Sequence, residues 1–205
     1  MTTKSAPLSA NERALIQPRE LPLNISPEMC TGKTYIVTGA NVGLGLEASR
    51  HLVKAGAAKV IMTARNLEAG EAARADVEST TGIKGVAEVW NLDLSKFASV
   101  TAFAEKAKGL ERIDAIVQNA AVAIPPDNSL VEGHLPTLTV NVISTTLLAI
   151  LLLPKLTADA AKFGYTPSIS CVTSGTCFDM GDYWKTIAED PILNMDNDEN
   201  ARLKS

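Results

Sequence analysis

Apolar residues recur along this chain in two alternating rhythms: short runs rich in β-branched residues, and longer stretches with helical spacing. After a polar opening with prolines at 7, 18, 22 and 27, an apolar run over Lys33 to Thr38 predicts a strand, and Gly43 to Gly56 predicts a helix closed by a glycine. "KVIMT", Lys59 to Thr63, predicts a second strand, and the alanine- and glutamate-rich stretch Asn66 to Thr80 a second helix. "VAEVWNLDL", Val86 to Leu94, alternates apolar and polar positions as a strand does; an N-cap is expected at Ser95, with a helix over Lys96 to Lys108. Ile113 to Gln118 predicts a fourth strand, Leu135 to Lys162 a long helix, and Ser168 to Ser174 a fifth strand.

Strands separated by helices of this length need crossover connections, so the sheet is expected to be parallel, twisted and helix-covered on both faces. The fold class is therefore α/β, a doubly wound parallel sheet. Three segments follow: an irregular arm over 1–31, the sheet domain over 32–174, and a polar, loop-like tail over 175–205. The most apolar stretch, "VISTTLLAILLLP" from Val142 to Pro154, is shorter than the roughly 20 residues a membrane span needs. It is expected to be a helix buried on both sides, packed against more than one neighbour.

Composition narrows the function. With 205 residues and 46% hydrophobic content, one substantial core is affordable, and two domains are not expected. A net charge of -4, with lysines and arginines scattered, gives no broad attraction to nucleic acid or anionic lipid. Cys30, Cys171 and Cys177 have no metal-like spacing, and the only histidines, His51 and His134, are far apart, so neither a disulfide scaffold nor a metal site is expected. The first thirty residues carry charges and prolines where a secretory signal needs an apolar stretch, which makes a reduced cytoplasmic protein the expectation.

The sharpest chemistry sits at the seam "TGANVGLG", Thr38 to Gly45, between the first strand and the first helix. Glycines at 39, 43 and 45 serve either a tight turn or the close approach of a phosphate to bare amides at a helix N-terminus. The strand–turn–helix context favours the phosphate. The spacing is G-x-x-x-G-x-G rather than G-x-G-x-x-G, and it is not a P-loop, because no Lys-Ser or Lys-Thr follows Gly45. "GKT" at Gly32 to Thr34 precedes the strand and has Pro27 where a P-loop needs its first glycine.

In order, "TGANVGLG", "TAR" ending the second strand, "NLDL" the third, "QNAA" the fourth, "VN" early in the long helix and "VTS" ending the fifth strand resemble the short-chain dehydrogenases/reductases, and among them the retinol-dehydrogenase-like oxidoreductases common in fungi. The resemblance spans Thr31 to Ser174 and implies a Rossmann-like fold. It implies that Gly39, Asn41, Val42, Gly43, Leu44 and Gly45 cradle the cofactor pyrophosphate. It also implies that Asp93 and Leu94 flank the adenine, with the Asp93 carboxylate accepting from its amino group, and that Asn119, Ala120 and Ala121 line the nucleotide cleft. The family usually has "NAG" where this chain has "NAA". About 20 positions past the glycines, where an acidic residue would accept from the ribose of NAD, stands Arg65. A guanidinium cannot accept those bonds but forks onto a 2′-phosphate, which favours NADP; a surface arginine paired with Glu68 is the plainer alternative. For Asp93 the plainer alternative is helix capping beside Ser95.

The family's reaction, hydride transfer to or from an alcohol or carbonyl substrate, uses a serine, a tyrosine and a lysine, with an asparagine steadying a water relay. The resemblance puts Ser174 in the serine position and Asn141 in the asparagine position; alternatively Ser174 simply ends a strand and Asn141 caps or bridges the helix. Neither Tyr165 nor Tyr183 has a lysine four residues on, since Ile169 and Ile187 stand there, and "YWK" at 183 to 185 has the wrong spacing. In this branch the Tyr-x-x-x-Lys motif often lies well past the serine, which falls beyond Ser205. The chain is thus expected to be cut off before its proton donor, C-terminally incomplete and nearly inactive alone. Trp184, Phe178 and Met180 are candidates for what remains of a substrate pocket. The long apolar helix is a candidate surface for pairing with a second copy or another partner, which leaves a catalytically silent nucleotide-binding or interaction protein as the alternative function. An α/β-hydrolase is rejected because "CVTSG" lacks the G-x-S-x-G elbow and no histidine follows Ser174. An EF-hand at "DNDEN", Asp196 to Asn200, fails because Ala201 stands where its glycine is needed. A place in secondary metabolism follows only from family habit.

Overall fold

Strand β1 (Thr34–Val37) is buried at every position and β2 (Lys59–Ala64) at all but its first, as strands covered on both faces must be. With β3 (Ala87–Asn91), β4 (Ala115–Gln118) and β5 (Ser168–Cys171) they form a five-stranded sheet in the order β3-β2-β1-β4-β5, every neighbouring pair parallel. This is the doubly wound α/β architecture expected from the alternation of periods. The computed structural model describes residues 24–123, 130–174 and 181–197.

Side-chain alternation along the strands sorts the core into two halves. Tyr35, Val37, Val60 and Met62 meet Leu52, Val53, Ala73 and Val77 from helices α2 (Gly43–Lys54) and α3 (Leu67–Thr81), which follow the short α1 (Pro27–Cys30). Ile36, Ile61 and Ile116 pack on the other face, against Val100 and Phe103 of α4 (Phe97–Lys108) and Leu148, Leu152 and Leu156 of α5 (Pro136–Phe163). In register, Ile36 stands beside Ile61 on one side and Ile116 on the other. Asn66 caps α3 by accepting the Ala69 N–H at 3.0 Å, and Gly82 ends it in the left-handed conformation.

The long helix departs from expectation in two ways. It is π-helical over Thr139–Ser144, where the Thr145 hydroxyl donates to the Val140 carbonyl at 2.8 Å. It is also buried along one side only: Leu148, Leu152 and Leu156 recur every four residues toward the core, while Ile150 (57%) and Leu153 (49%) are exposed. By length and composition the helix Pro136–Phe163 could cross a membrane, so the shortness of the Val142 to Pro154 stretch is not the deciding argument. Leu148, Leu152 and Leu156 pack on the sheet, and a third of the most apolar window of the helix is buried.

At the amino ends of the strands, an ionic clasp fastens α5 to the sheet. The Asp114 carboxylate accepts the Thr34 N–H and Arg112 Nε, each at 2.8 Å, and Asp159 accepts the Ile113 N–H at 2.8 Å and the Lys155 ammonium at 2.5 Å. The Arg112 guanidinium lies over the rings of Phe163 and Tyr165, 4.9 and 4.8 Å from their centroids. The Tyr165 hydroxyl donates to the Ile113 carbonyl at 2.7 Å, and burial pushes its phenol above the ordinary range.

Two local expectations are corrected. Ser95 does not cap α4; the cap position is Lys96, which makes no side-chain capping bond, because the Ser95 hydroxyl is turned back onto Asp93. The segment after 175 is not all loop: α6 (Gly181–Ile187) and α7 (Pro191–Asn197) form there. Asp190 accepts the Leu193 N–H at 3.1 Å and Pro191 takes the first helical position, a start signal readable in "DP". These helices belong to a second unit, whose described residues are Asn24, 173–174 and 181–197.

Leu148→Ala is expected to lower stability by about 2–5 kcal/mol, against within about 0.5 kcal/mol for Ile150→Ala, in urea unfolding followed by circular dichroism. Equal losses would mean that the helix faces the core differently.

Candidate functional site

The loops leaving the carboxyl ends of β1 to β4 enclose a cleft of about 360 Å³, lined by Gly39, Asn41 and Val42, by Arg65, by Asp93 and Leu94, and by Asn119, Ala120 and Ala121, with Val122 and Val140 closing one side. This is where ligands bind in open α/β sheets.

The three glycines of the seam prove to have two different reasons. A Cβ on Gly39 would meet the Ala120 Cα at 2.9 Å, and one on Gly45 would meet the Gly39 carbonyl oxygen and, at 2.5 Å, Asn119 Nδ2. These two let the β1 and β4 loops touch. Gly43 has open space where a Cβ would be, but its φ is +59°, which side chains disfavour. It opens α2, whose cap residue Val42 supplies no side-chain acceptor, so the first-turn amides of Gly43, Leu44 and Gly45 are left for another acceptor. Val42 and Leu44 are 66% and 74% exposed. Gly43, Leu44 and Gly45 are not part of the cleft lining itself.

Threonines and amides hold this arrangement. The Thr38 hydroxyl oxygen accepts the N–H groups of Asn119 and Ala120, both at 3.0 Å, while Asn119 Nδ2 donates to the carbonyls of Thr38 (3.0 Å) and Gly39 (3.2 Å). The Thr63 hydroxyl oxygen accepts the Gly39 N–H at 3.3 Å. The sequence motifs contained Thr38 and Thr63, but their bracing role was missed; a polar residue closing an apolar run was its only trace.

Arg65 follows β2 directly and is exposed; among the ion pairs of the described residues it has none, so the pairing with Glu68 is not formed. Its backbone is fixed by Asn91, whose Nδ2 donates to the carbonyls of Arg65 (2.9 Å) and Ala64 (3.3 Å). Sequence reasoning passed over Asn91 as part of a strand.

The Asp93 carboxylate is partly committed: Oδ1 accepts the Ser95 N–H (3.0 Å) and hydroxyl (2.6 Å), and Oδ2 lies 3.5 Å from the Lys96 ammonium. Burial pushes its carboxyl up, but the bonds from Ser95 and the Lys96 charge outweigh this and hold it below the usual range. Oδ2 keeps acceptor capacity, and Asp93 is among the residues lining the cleft. Leu94 is largely in the core.

Asn141 lies in the π-helical turn beside Val140 and braces the segment after β4. Its Oδ1 accepts the Val122 N–H at 2.9 Å and its Nδ2 donates to the Val122 carbonyl at 2.8 Å. Ser174 lies three residues beyond β5, exposed, in the second unit; the cleft geometry is built from the first unit alone. Trp184 is 54% exposed, and Phe178 and Met180 lie outside the described residues.

Comparison with known proteins bears on the family and the fold. Residues 33–180 match the sequence profile of the short chain dehydrogenase family. The short chain dehydrogenase/reductase dmxR8 of Cryptosporiopsis is 42% identical over 146 residues, covering 70% of this chain and 45% of that protein. The short-chain dehydrogenase anuD of Penicillium roqueforti is 41% identical over 165 residues, covering 80% and 42%. The chain thus spans under half the length of these relatives. Among solved structures, the Pseudomonas aeruginosa RhlG/NADP active-site complex is 26% identical with a TM-score of 0.58, over 73% of this chain and 58% of that one. A metagenomic short-chain oxidoreductase in complex with NADP, at 24% identity and a TM-score of 0.59, shares the fold over 78% of each chain.

Gly45→Ala should force the β1 and β4 loops apart, costing about 1–3 kcal/mol in denaturant unfolding; unchanged stability would show that the contact yields freely. Because the folded Asp93 carboxyl lies below its ordinary value, its contribution is complete above about pH 4 and is lost as the pH falls through the lower folded value. The stability gap between wild type and Asp93→Asn, read from unfolding curves between pH 6 and pH 2, is expected to narrow in that acid range.

Proposed function

Since this chain belongs to the short-chain dehydrogenase family, we propose that its cleft takes up NADP(H) for hydride transfer involving an alcohol or carbonyl substrate. The observation that carries the cofactor reading is the uncapped start of α2 beside the cleft, with Arg65 unpaired where an NAD-selective site needs a carboxylate. The glycine positions fit the group: Gly43 leaves the approach to the first-turn amides open, while Gly39 and Gly45 keep the loops close behind it. In this reading Gly39, Asn41, Val42, Gly43, Leu44 and Gly45 receive the pyrophosphate and Arg65 forks onto the 2′-phosphate. Asp93 Oδ2 accepts from the adenine amino group beside Leu94, and the backbone of Asn119, Ala120 and Ala121 lines the ribose side.

The nicotinamide supplies or takes the hydride when bound. Ser174 orients the substrate oxygen, and Asn141 steadies the water relay from a position its Val122 bonds already fix. Tyr165 is excluded as proton donor by its bond to the Ile113 carbonyl at the opposite end of the strands. The whole protein's turnover therefore calls on a donor other than Tyr165.

The exposed Val142, Ile150 and Leu153 support self-association through α5, with sedimentation velocity as the check. A cytoplasmic setting fits the free thiols of Cys30 and Cys171.

Isothermal titration is expected to give binding of NADPH tighter than NADH. Arg65→Ala should weaken NADPH by about 10- to 100-fold, the worth of one charge-assisted contact, and NADH little. No heat with NADPH, or a preference for NADH that survives Arg65→Ala, would overturn the reading.

A further inference from the structure

Among the described residues, Glu132 is the non-glycine residue with a positive φ, 53°. It sits in a tight turn between Val131 and His134, whose backbones exchange hydrogen bonds of 2.8 and 3.1 Å, and Gly133 beside it has φ +87°. A second glycine would satisfy such a turn with less strain. The side chain provides something a glycine cannot: its Oε1 accepts the Phe97 N–H at 2.9 Å, from a residue 35 positions earlier.

That bond falls where α4 lacks a cap of its own, because Lys96 makes no side-chain capping bond. A carboxylate at a helix start also meets the positive end of the dipole. The first turn of α4 is stitched to the cleft wall, the Asp93 N–H donating to the Ser99 hydroxyl at 2.9 Å, and Asp93, Leu94 and Ser95 line the cleft. On its other side the Glu132 turn is tied to α5, the Thr139 hydroxyl donating to the Val131 carbonyl at 2.8 Å. Thr139 opens the π-helical segment that carries Asn141, and Asn141 holds Val122 on the opposite wall. One carboxylate thus joins the elements behind the two walls, although it does not line the cleft.

We propose that Glu132 is a positioning residue, pinning the Asp93–Ser95 wall to the π-helical turn of Asn141 so that cofactor affinity depends on its side-chain oxygen. This rests on reading the cleft as the NADP(H) site. The strain at position 132 is kept because the acceptor must project from that turn toward α4.

Three variants separate this from a merely structural role: Glu132→Gln keeps an acceptor oxygen, Glu132→Ala removes it, and Glu132→Gly removes it while relaxing the backbone. Calorimetry with NADPH and with adenosine 2′,5′-bisphosphate, thermal midpoints, and amide exchange at Phe97 are measured on the full chain. The Ala and Gly variants should bind both ligands about fivefold more weakly, the worth of one helix cap, and Gln should restore most of the loss. The Gly variant should keep a higher midpoint than Ala without regaining affinity, so stability and binding part company. Wild-type affinity in the Ala and Gly variants, a Gln variant no better than Ala, or affinity that tracks the midpoint would overturn the proposal. If wild type binds neither ligand, the reading of the cleft fails; the pin is then judged by Phe97 exchange alone, which Ala must accelerate and Gln must not.

Discussion

Contact between the ends of β1 and β4 is the constraint on which the rest of the cleft depends. Thr38 gives its hydroxyl oxygen to two successive amides of the neighbouring loop, and Asn119 returns two bonds to the carbonyls of Thr38 and Gly39. Such reciprocal bonding satisfies groups that a parallel sheet leaves open where its strands stop. It also brings backbone so near to backbone that Gly39 and Gly45 have no room for a side chain. The loop is drawn down onto β4, and the start of α2 is left facing outward with its amides unclaimed. The unclaimed amides beside the cleft are in this sense a by-product of how the two loops brace each other.

Much of this was legible in the chain itself. All five strands and the main helices were written in the change from runs to helical spacing, and their order alone requires a parallel sheet. Element ends were less legible, because a side chain with two available partners decides them. Ser95 reads as a cap, yet its hydroxyl finds the Asp93 carboxylate and the helix begins two residues later. The helices after residue 180 were missed because polar composition outweighed the Asp-Pro start signal. The long helix was expected to be buried on both sides because hydrophobicity does not say which face meets the sheet; only the leucines at 148, 152 and 156 do.

For the cleft, local motifs were informative and long-range partners were not. Glycine spacing and the basic residue after β2 follow from the strand–turn–helix pattern, so Gly39, Gly43, Gly45 and Arg65 could be singled out. Asn91 looks like any strand residue until β3 is seen beside β2, where its amide reaches the Arg65 carbonyl. Glu132 lies in a short mixed stretch with no periodicity, and its bond to Phe97 spans too much sequence for any local pattern to carry. Chemistry that depends on one residue type at one turn can be read from letters; support arriving from another element needs the fold.

The ionic clasp of Asp114, Arg112, Asp159 and Lys155 has its own consequence for the seating of α5. Its carboxylates are buried and each is met by a backbone amide as well as a cation, so that end of the sheet is fastened like the root of a blade. The opposite rim is held differently, by the Thr38 and Asn119 bonds between the β1 and β4 loops and by the carboxylates of Asp93 and Glu132 accepting backbone amides at the start of α4. Buried charge is thus concentrated at the base of the sheet, away from the loops that line the cleft, so a substitution in the clasp would loosen the seat of α5 before it reached the cleft lining.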